Sequence, residues 1–291
     1  MWSKFEYLKP SALSEAFDLL SRYGEDAKIL AGGTDVFVNM KNRTIRPRYV
    51  VDIKGLSGLD QIKNENGQLK IGGLVTVNAL RESKIIQEKA EILMEATEKM
   101  GSVQTRNRAT VGGNICNAAP GADITIPLLA MDATVNIASS SGVKTVALKE
   151  FFTGPGKTIL KPGEIVTEII VPEEPPRTGR VFFKYQHRDA MALAILNVAI
   201  SLTLLDNGTC KDVKIILGAV APTPIRAKQA ENALMNQQVN DQTIQKAADI
   251  ASTEITPRRG SIRATPEYRV ELTKVMVRRT LKRAAEKARE V

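Results

Sequence analysis

Apolar positions near the start of the chain recur at helical spacing. Leu13, Ala16, Phe17 and Leu20 form one stripe, opened by Pro10 and Ser11 and stopped by Gly24, which predicts a capped amphipathic helix. An apolar run over 27–31 predicts a buried strand leading into Gly32-Gly33-Thr34-Asp35, and a second strand over 49–53 completes a βαβ-like piece. The next stretch predicts a strand at 69–71, a helix after Thr76 and a longer helix over 87–100. After Thr110-Val111-Gly112-Gly113-Asn114, residues 126–131 read as a short buried helix, and 133–138 and 165–171 as strands. Residues 172–179, with Glu173-Glu174-Pro175-Pro176 inside, predict a linker. Beyond it, runs over 181–186, 194–205 and 213–220, with a turn at Asp206-Asn207-Gly208, predict an antiparallel meander. Helical stretches near 226–236, 241–252 and 265–288 close the chain.

At 291 residues the chain exceeds what one hydrophobic core usually supports. The pattern divides it into units at 1–54, 55–175 and 176–291. Hydrophobic residues at 43% and charged residues at 25% are those of a globular protein. The first ten residues lack the apolar core of a signal peptide, and no stretch has the ~18 consecutive apolar residues of a membrane span, so the expectation is a cytoplasmic protein.

Two cysteines, Cys116 and Cys210, are too few for an iron–sulfur cluster or structural zinc. His187 is the only histidine, which excludes multi-histidine metal schemes; Ser–His–Asp and Cys–His schemes, which would have to use this one residue, are not expected. The net charge is +9, but residues 258–291 carry eleven Lys and Arg against four Glu, which is +7 of that total. With aromatics at only 4%, this localised excess reads as a solvated helix or docking face rather than a nucleic-acid surface.

Two double-glycine loops carry the candidate chemistry, Ala31-Gly32-Gly33-Thr34-Asp35 and Thr110-Val111-Gly112-Gly113-Asn114. Glycine permits positive φ and close approach of another molecule, and successive backbone N–H groups form an anion-binding nest. Neither loop is a G-x-G-x-x-G fingerprint or a P-loop, and either alone reads better as a tight turn than as a ligand site. Together, with Thr34, Thr110 and Asn114 beside the glycines, they predict a clasp closing on a diphosphate from two sides.

These loops, as ILAGGTDVFVNMK at 29–41 and RATVGGNICNAAPGADITIPLLAMDATV at 108–135, strongly resemble the flavin subunit or domain of molybdenum hydroxylases, the xanthine dehydrogenase and aerobic carbon monoxide dehydrogenase type. The resemblance continues through FFTGPGKTIL at 151–160, EIVTEIIVP at 164–172, VFFKYQHRDAMALA at 181–194 and GAVAPTPIRA at 218–227, and so covers nearly the whole chain. It implies an α+β fold of the vanillyl-alcohol-oxidase (PCMH) type, with two α/β subdomains binding FAD and a C-terminal antiparallel sheet with helices. By motif match, Ile29, Leu30, Ala31, Gly32, Gly33, Thr34, Asp35 and Val36 would wrap the diphosphate and ribityl region from one side. Thr110, Gly112, Gly113 and Asn114 would close the other.

Asp123 would accept hydrogen bonds from sugar or ribityl hydroxyls, Val166 would touch the flavin ring, and Lys184 would sit at its polar end. Each has a plainer reading from the residues alone: Asp123 as a helix N-cap, Lys184 as a strand residue facing water, Val166 as core. Cys116 reads as a small packed residue and His187 as a surface residue.

The resemblance also implies partners. A molybdopterin large subunit and a small subunit with [2Fe-2S] clusters would assemble with this chain as a dimer of heterotrimers. FAD would pass electrons to an external acceptor, NAD+ or a quinone. Two competing readings are a stand-alone FAD-dependent oxidoreductase and a basic nucleic-acid-binding adaptor.

Overall fold

The computed structural model describes residues 4–290. The chain begins β1 (Glu6–Leu8), α1 (Leu13–Tyr23), β2 (Ala27–Leu30), α2 (Val36–Lys41), β3 (Tyr49–Asp52). The three strands form a parallel sheet in the order β1-β3-β2. α1 buries Ala16, Phe17 and Leu20 and ends at Gly24, whose φ of 51° is left-handed. Its N-terminus differs from the expected Ser11 cap, since no side chain caps it and Glu15 instead reaches back to the Ser11 N–H at 2.7 Å. β2 is an outer strand, so only Leu30 of its four residues is buried, whereas central β3 buries Val50, Val51 and Asp52. β2 and β3 end level, Leu30 opposite Asp52. The first glycine loop leaves from this carboxyl edge.

The next stretch contains β4 (Ile62–Glu65), β5 (Gln68–Gly72), α3 (Val77–Glu82), α4 (Lys84–Lys89), α5 (Glu91–Glu98), α6 (Val103–Arg106), α7 (Val111–Cys116), α8 (Thr125–Ala130), β6 (Thr134–Ser139), β7 (Gly142–Ala147), β8 (Phe152–Gly154), β9 (Lys157–Thr158) and β10 (Ile165–Val171). A five-stranded antiparallel sheet runs β4-β5-β10-β6-β7. The continuous helix expected over 87–100 is two helices. Ala90, at φ −152° and ψ 51°, breaks the run, and Ile86, Ile92 and Leu93 on either side enter the same core. Their spacing alone reads as uninterrupted.

The last stretch contains β11 (Thr178–Tyr185), β12 (Leu196–Leu204), β13 (Cys210–Gly218), β14 (Ile225–Arg226), α9 (Lys228–Leu234), α10 (Asp241–Ala251) and α11 (Pro266–Glu290). The strands are the expected antiparallel meander, in the order β11-β12-β13-β14. The linker is shorter than its composition suggests, because Thr178 and Gly179 already belong to β11. A Cβ on Gly179 would lie 1.9 Å from the Ala284 carbonyl of α11, so the helix packs directly on the strand.

Both faces of this sheet are covered, which is why every residue of β12 is buried. Val198, Ile200 and Leu202 join the core beneath α11, while Phe182, Ala199 and Ile216 join the core of the five-stranded unit. Period-2 alternation assigns the two faces. Lys184 and Asn197, two residues from Phe182 and Ala199 respectively, therefore share the face turned toward the five-stranded unit.

Candidate cofactor-binding cleft

The first glycine loop continues β2. A Cβ on Gly32 would lie 2.1 Å from the Arg108 carbonyl oxygen, so this backbone lies directly against residues 108–109. Gly33 has φ 79°, where a side chain is strained. Its carbonyl accepts the Phe37 N–H at 3.1 Å, starting α2. Among the described residues, the amides of Gly32, Gly33, Thr34 and Asp35 donate no hydrogen bond to the protein. Four successive uncommitted N–H groups next to a left-handed glycine have the chemistry of an anion nest.

The second loop is built differently. Residues 111–116 are helical, and the Thr110 hydroxyl caps the helix by accepting the Gly113 N–H at 3.0 Å. Val111 donates to the Val75 carbonyl at 2.9 Å, Gly112 to Gly73 at 3.0 Å and Asn114 to Thr110 at 2.9 Å. All four amides after Thr110 are committed, which corrects the expectation of exposed N–H groups here. Gly112 serves close approach instead, since a Cβ on it would lie 2.6 Å from the Gly73 carbonyl oxygen. Gly73 in turn lies against Val166, whose carbonyl oxygen would be 2.4 Å from a Cβ at 73. The Val166 side chain is core, and its backbone borders the glycines. Gly72-Gly73 is a third double glycine, overlooked in the sequence reading although its signal is the same.

These contacts make one continuous lining. Gly32 touches residues 108–109, Thr110 follows in the chain, and Gly112 meets Gly73 and Val166. Asn114 accepts a hydrogen bond from the Thr125 hydroxyl at 3.3 Å, which ties α7 to the start of α8 beside Asp123.

Asp123 and Lys184 form a buried ion pair, Nζ to Oδ2 at 2.7 Å. The ammonium also donates to the Lys99 carbonyl at 2.9 Å. Neither plainer reading holds: no side chain caps α8, and Lys184 is 7% exposed because its face of the strand turns toward the five-stranded unit. The Lys184 side chain is 1% exposed and that of Asp123 11%, so the carboxylate is the member of the pair that reaches the surface. Burial pushes the Asp123 carboxyl up from its ordinary range, with Lys184 and then Asn197 opposing. Asn197, missed in the sequence, donates to the Gly121 carbonyl at 3.2 Å and approaches Asp123 Oδ1 at 3.4 Å.

Cys116 ends α7 as a packed thiol, pushed up to about 12 by burial. His187 lies on the exposed loop after β11. Among the described residues, no group of His, Cys, Asp and Glu is arranged to hold a metal ion.

Residues 3–174 match the family described as FAD binding domain in molybdopterin dehydrogenase, and residues 181–284 that described as CO dehydrogenase flavoprotein C-terminal domain. The chain is 37% identical over 286 residues to the xanthine dehydrogenase FAD-binding subunit of Escherichia coli O157:H7, covering 98% of this chain and 97% of that one. The chain belongs to the FAD subunits of the molybdenum hydroxylases. It is also 31% identical over 285 residues to the carbon monoxide dehydrogenase medium chain of Afipia carboxidovorans, covering 98% of each. A solved structure of carbon monoxide dehydrogenase from Hydrogenophaga pseudoflava matches it with a TM-score of 0.95 at 32% identity, covering 99% of both chains. The fold is accordingly the α+β, PCMH-type FAD-binding fold followed by an antiparallel sheet with helices, and the FAD subunit is part of an oxidoreductase.

The residues present fit FAD. The uncommitted amides of the first loop suit a diphosphate, and Asp123, with Oδ1 reached only by the long Asn197 contact, can accept from a hydroxyl. Part of the C-terminal charge of the FAD subunit is tied into its own fold. Arg283 pairs with Glu95 at 2.8 Å, Lys287 with Glu91 at 2.7 Å and Lys282 with Asp241 at 2.7 Å. Buried Arg269 donates to the carbonyls of Ile195 and Ala219. Among the described residues, no helix is long and apolar enough to cross a membrane.

Proposed function

We propose that this FAD subunit receives electrons from [2Fe-2S] clusters on a small partner subunit and passes them to an external acceptor, NAD+ or a quinone, while a molybdopterin large subunit oxidises the substrate. The carrying observation is one lining that joins four uncommitted amides to a buried carboxylate–ammonium pair. In this reading residues 29–36 face the diphosphate and ribityl region. Thr110, Gly112, Gly113 and Asn114 form the opposite wall by close backbone approach. Asp123 takes a sugar or ribityl hydroxyl, Val166 borders the ring, and Lys184 supplies the positive charge near its polar end. Bound FAD supplies a centre able to take electrons singly and release them in pairs. The chain itself binds, orients and shields.

Likeness to medium chains and FAD subunits along nearly the full length supports work inside a complex. The assembly in this reading is a dimer of heterotrimers in the cytoplasm. It does not favour a stand-alone oxidoreductase. The internally paired C-terminal helix likewise does not favour a nucleic-acid binder. The three larger sheets, one to each unit, support units at 1–54, 55–175 and 176–291.

Titration of flavin-free protein with FAD, followed by flavin fluorescence and thermal unfolding, tests the cofactor site. Saturable binding with a raised Tm is expected, and absence of both overturns the reading. Co-purification from the source cell tests the partners: molybdenum and iron–sulfur subunits are expected, and substrate turnover by the lone chain would overturn the assignment to a complex.

A further inference from the structure

The third sheet turns two cross-strand rows toward the five-stranded unit. One is apolar, Phe182 opposite Ala199 opposite Ile216, and enters that unit's core. The next is Lys184 opposite Asn197 opposite Gly218. Lys184 is accounted for by its bond to Asp123. Asn197 is not: it is 0% exposed and, among the described residues, its Oδ1 has no hydrogen-bond partner.

The orientation of the amide is determined by its neighbours. Nδ2 faces two acceptors, the Gly121 carbonyl at 3.2 Å and Asp123 Oδ1 at 3.4 Å. Reversing the amide would set its oxygen against both. Oδ1 occupies the space left by the missing side chain of Gly218, where a Cβ would lie 2.1 Å away. The unpartnered acceptor is a cost to the core that an apolar side chain of the same shape would not carry. The benefit of the amide lies across the interface, on the Gly121–Asp123 turn. That turn is also held by the Ala219 N–H, which donates to the Pro120 carbonyl at 2.9 Å from a residue with φ 65°. Lys184 holds one carboxylate oxygen, Oδ2, and by itself leaves the carboxylate free to rotate about its bond to Cβ.

We propose that Asn197 is a positioning residue for the FAD site: together with Lys184 it fixes the plane of the Asp123 carboxylate, and so the direction of the lone pairs offered to a cofactor hydroxyl. This rests on the reading that Asp123 lines that site, and it adds a residue of the third sheet to the determinants of FAD affinity.

The test uses full-length protein, stripped of flavin and titrated with FAD, in four variants: Asn197→Leu, Asp123→Asn, both together, and Ser201→Ala on the same face of β12. Asn197→Leu is expected to keep the unfolding midpoint of flavin-free protein within a few degrees, weaken FAD about tenfold and alter the visible circular dichroism of bound flavin. In the Asp123→Asn background the same change should add nothing, because Asn197 acts through that carboxylate. Ser201→Ala should leave affinity unchanged. An unaltered FAD Kd in folded Asn197→Leu, or a full additional loss in the double variant, overturns the proposal. If Asn197→Leu does not fold, Asn197→Ser, which removes the amide without adding bulk, decides by the same two criteria. Unchanged affinity in Asp123→Asn overturns the underlying site reading instead, and the absence of FAD binding by unmodified protein would overturn the cofactor site itself.

Discussion

The two glycine pairs that look alike in the sequence have different physical jobs. At Gly32-Gly33 the backbone turns through a left-handed residue and leaves four amides uncommitted. At Gly112-Gly113 the backbone is the first turn of a helix, every amide after Thr110 has a partner inside the protein, and the glycines let segments approach within van der Waals distance. One pair presents donors and the other builds a wall. A Gly-Gly signal therefore marks backbone proximity in both places, and a ligand nest only where the amides stay unspent.

The strongest way to break this comparison is to add a Cβ where backbone meets backbone. Gly32→Ala places a carbon 2.1 Å from the Arg108 carbonyl oxygen and Gly112→Ala one 2.6 Å from that of Gly73. Neither neighbour is a flexible side chain. Each should cost about 1–3 kcal/mol by overpacking, Gly32→Ala the more, and both should weaken FAD binding. Melting curves with and without FAD measure this. Equal stability of both variants and the parent would mean the loops are not in contact.

The second members of the pairs sharpen the contrast. Gly33→Ala forces a side chain into φ 79°, costing about 1–2 kcal/mol, and should weaken FAD several-fold by reshaping the nest. Gly113→Ala sits in a helix, where alanine gains about 1 kcal/mol over glycine, against one tight contact with the Thr110 hydroxyl at 2.8 Å. Its stability and FAD affinity should stay near the parent's. A larger FAD defect in Gly113→Ala than in Gly33→Ala would reverse the assignment of nest and wall.

Acid should act on the carboxyl edge beside the first loop. Burial pushes Asp52 up, but hydrogen bonds from Lys54, at 2.6 Å, and from Tyr7 outweigh it, so its carboxyl lies below the ordinary value of 3.8. The unfolded chain then takes up the proton first as pH falls. The stabilisation is present above about pH 4 and is lost as pH falls through the folded-state value. Urea midpoints measured from pH 5 to pH 3 should fall more steeply for the parent than for Asp52→Asn.

The smallest effect concerns the wall's own helix. Cys116 and Cys210 are both pushed up to about 12 by burial. Native protein at pH 8 should react negligibly with a thiol-specific disulfide reagent, and both thiols should appear on unfolding. Rapid native labelling of Cys116 would show that α7 opens.

Much of the fold was legible because it rests on local periodicity. β10 spans the predicted 165–171, the meander lies where the apolar runs and the turn at Asp206-Asn207-Gly208 placed it, and α1 stops at Gly24. β1 and β4 were missed because each is only a few residues long and largely exposed, so no apolar pattern marks them. The break at Ala90 was hidden because apolar spacing runs on across it. Gly32, Gly112, Asp123 and Lys184 were all named from the sequence, and the structure joins them through backbone contacts and an ion pair, whereas Gly73 and Asn197 were not named. Nothing local distinguishes Asn197 from any other polar residue on a strand.

By itself the sequence determined the order of most elements, the antiparallel meander of the third sheet and, through motifs that resemble a known family, the expectation of a flavin site. These depend on residue type and spacing along one chain. Only the tertiary structure decided which amides are spent, that Lys184 is buried against Asp123, and that Lys282, Arg283 and Lys287 of the basic tail pair with acids elsewhere in the fold. Those outcomes depend on which backbone and which carboxylate arrive from residues as far as 61 positions away in Asp123–Lys184 or 188 in Glu95–Arg283. Hydrogen bonds and desolvation are set by neighbours in space, which spacing along the chain does not encode.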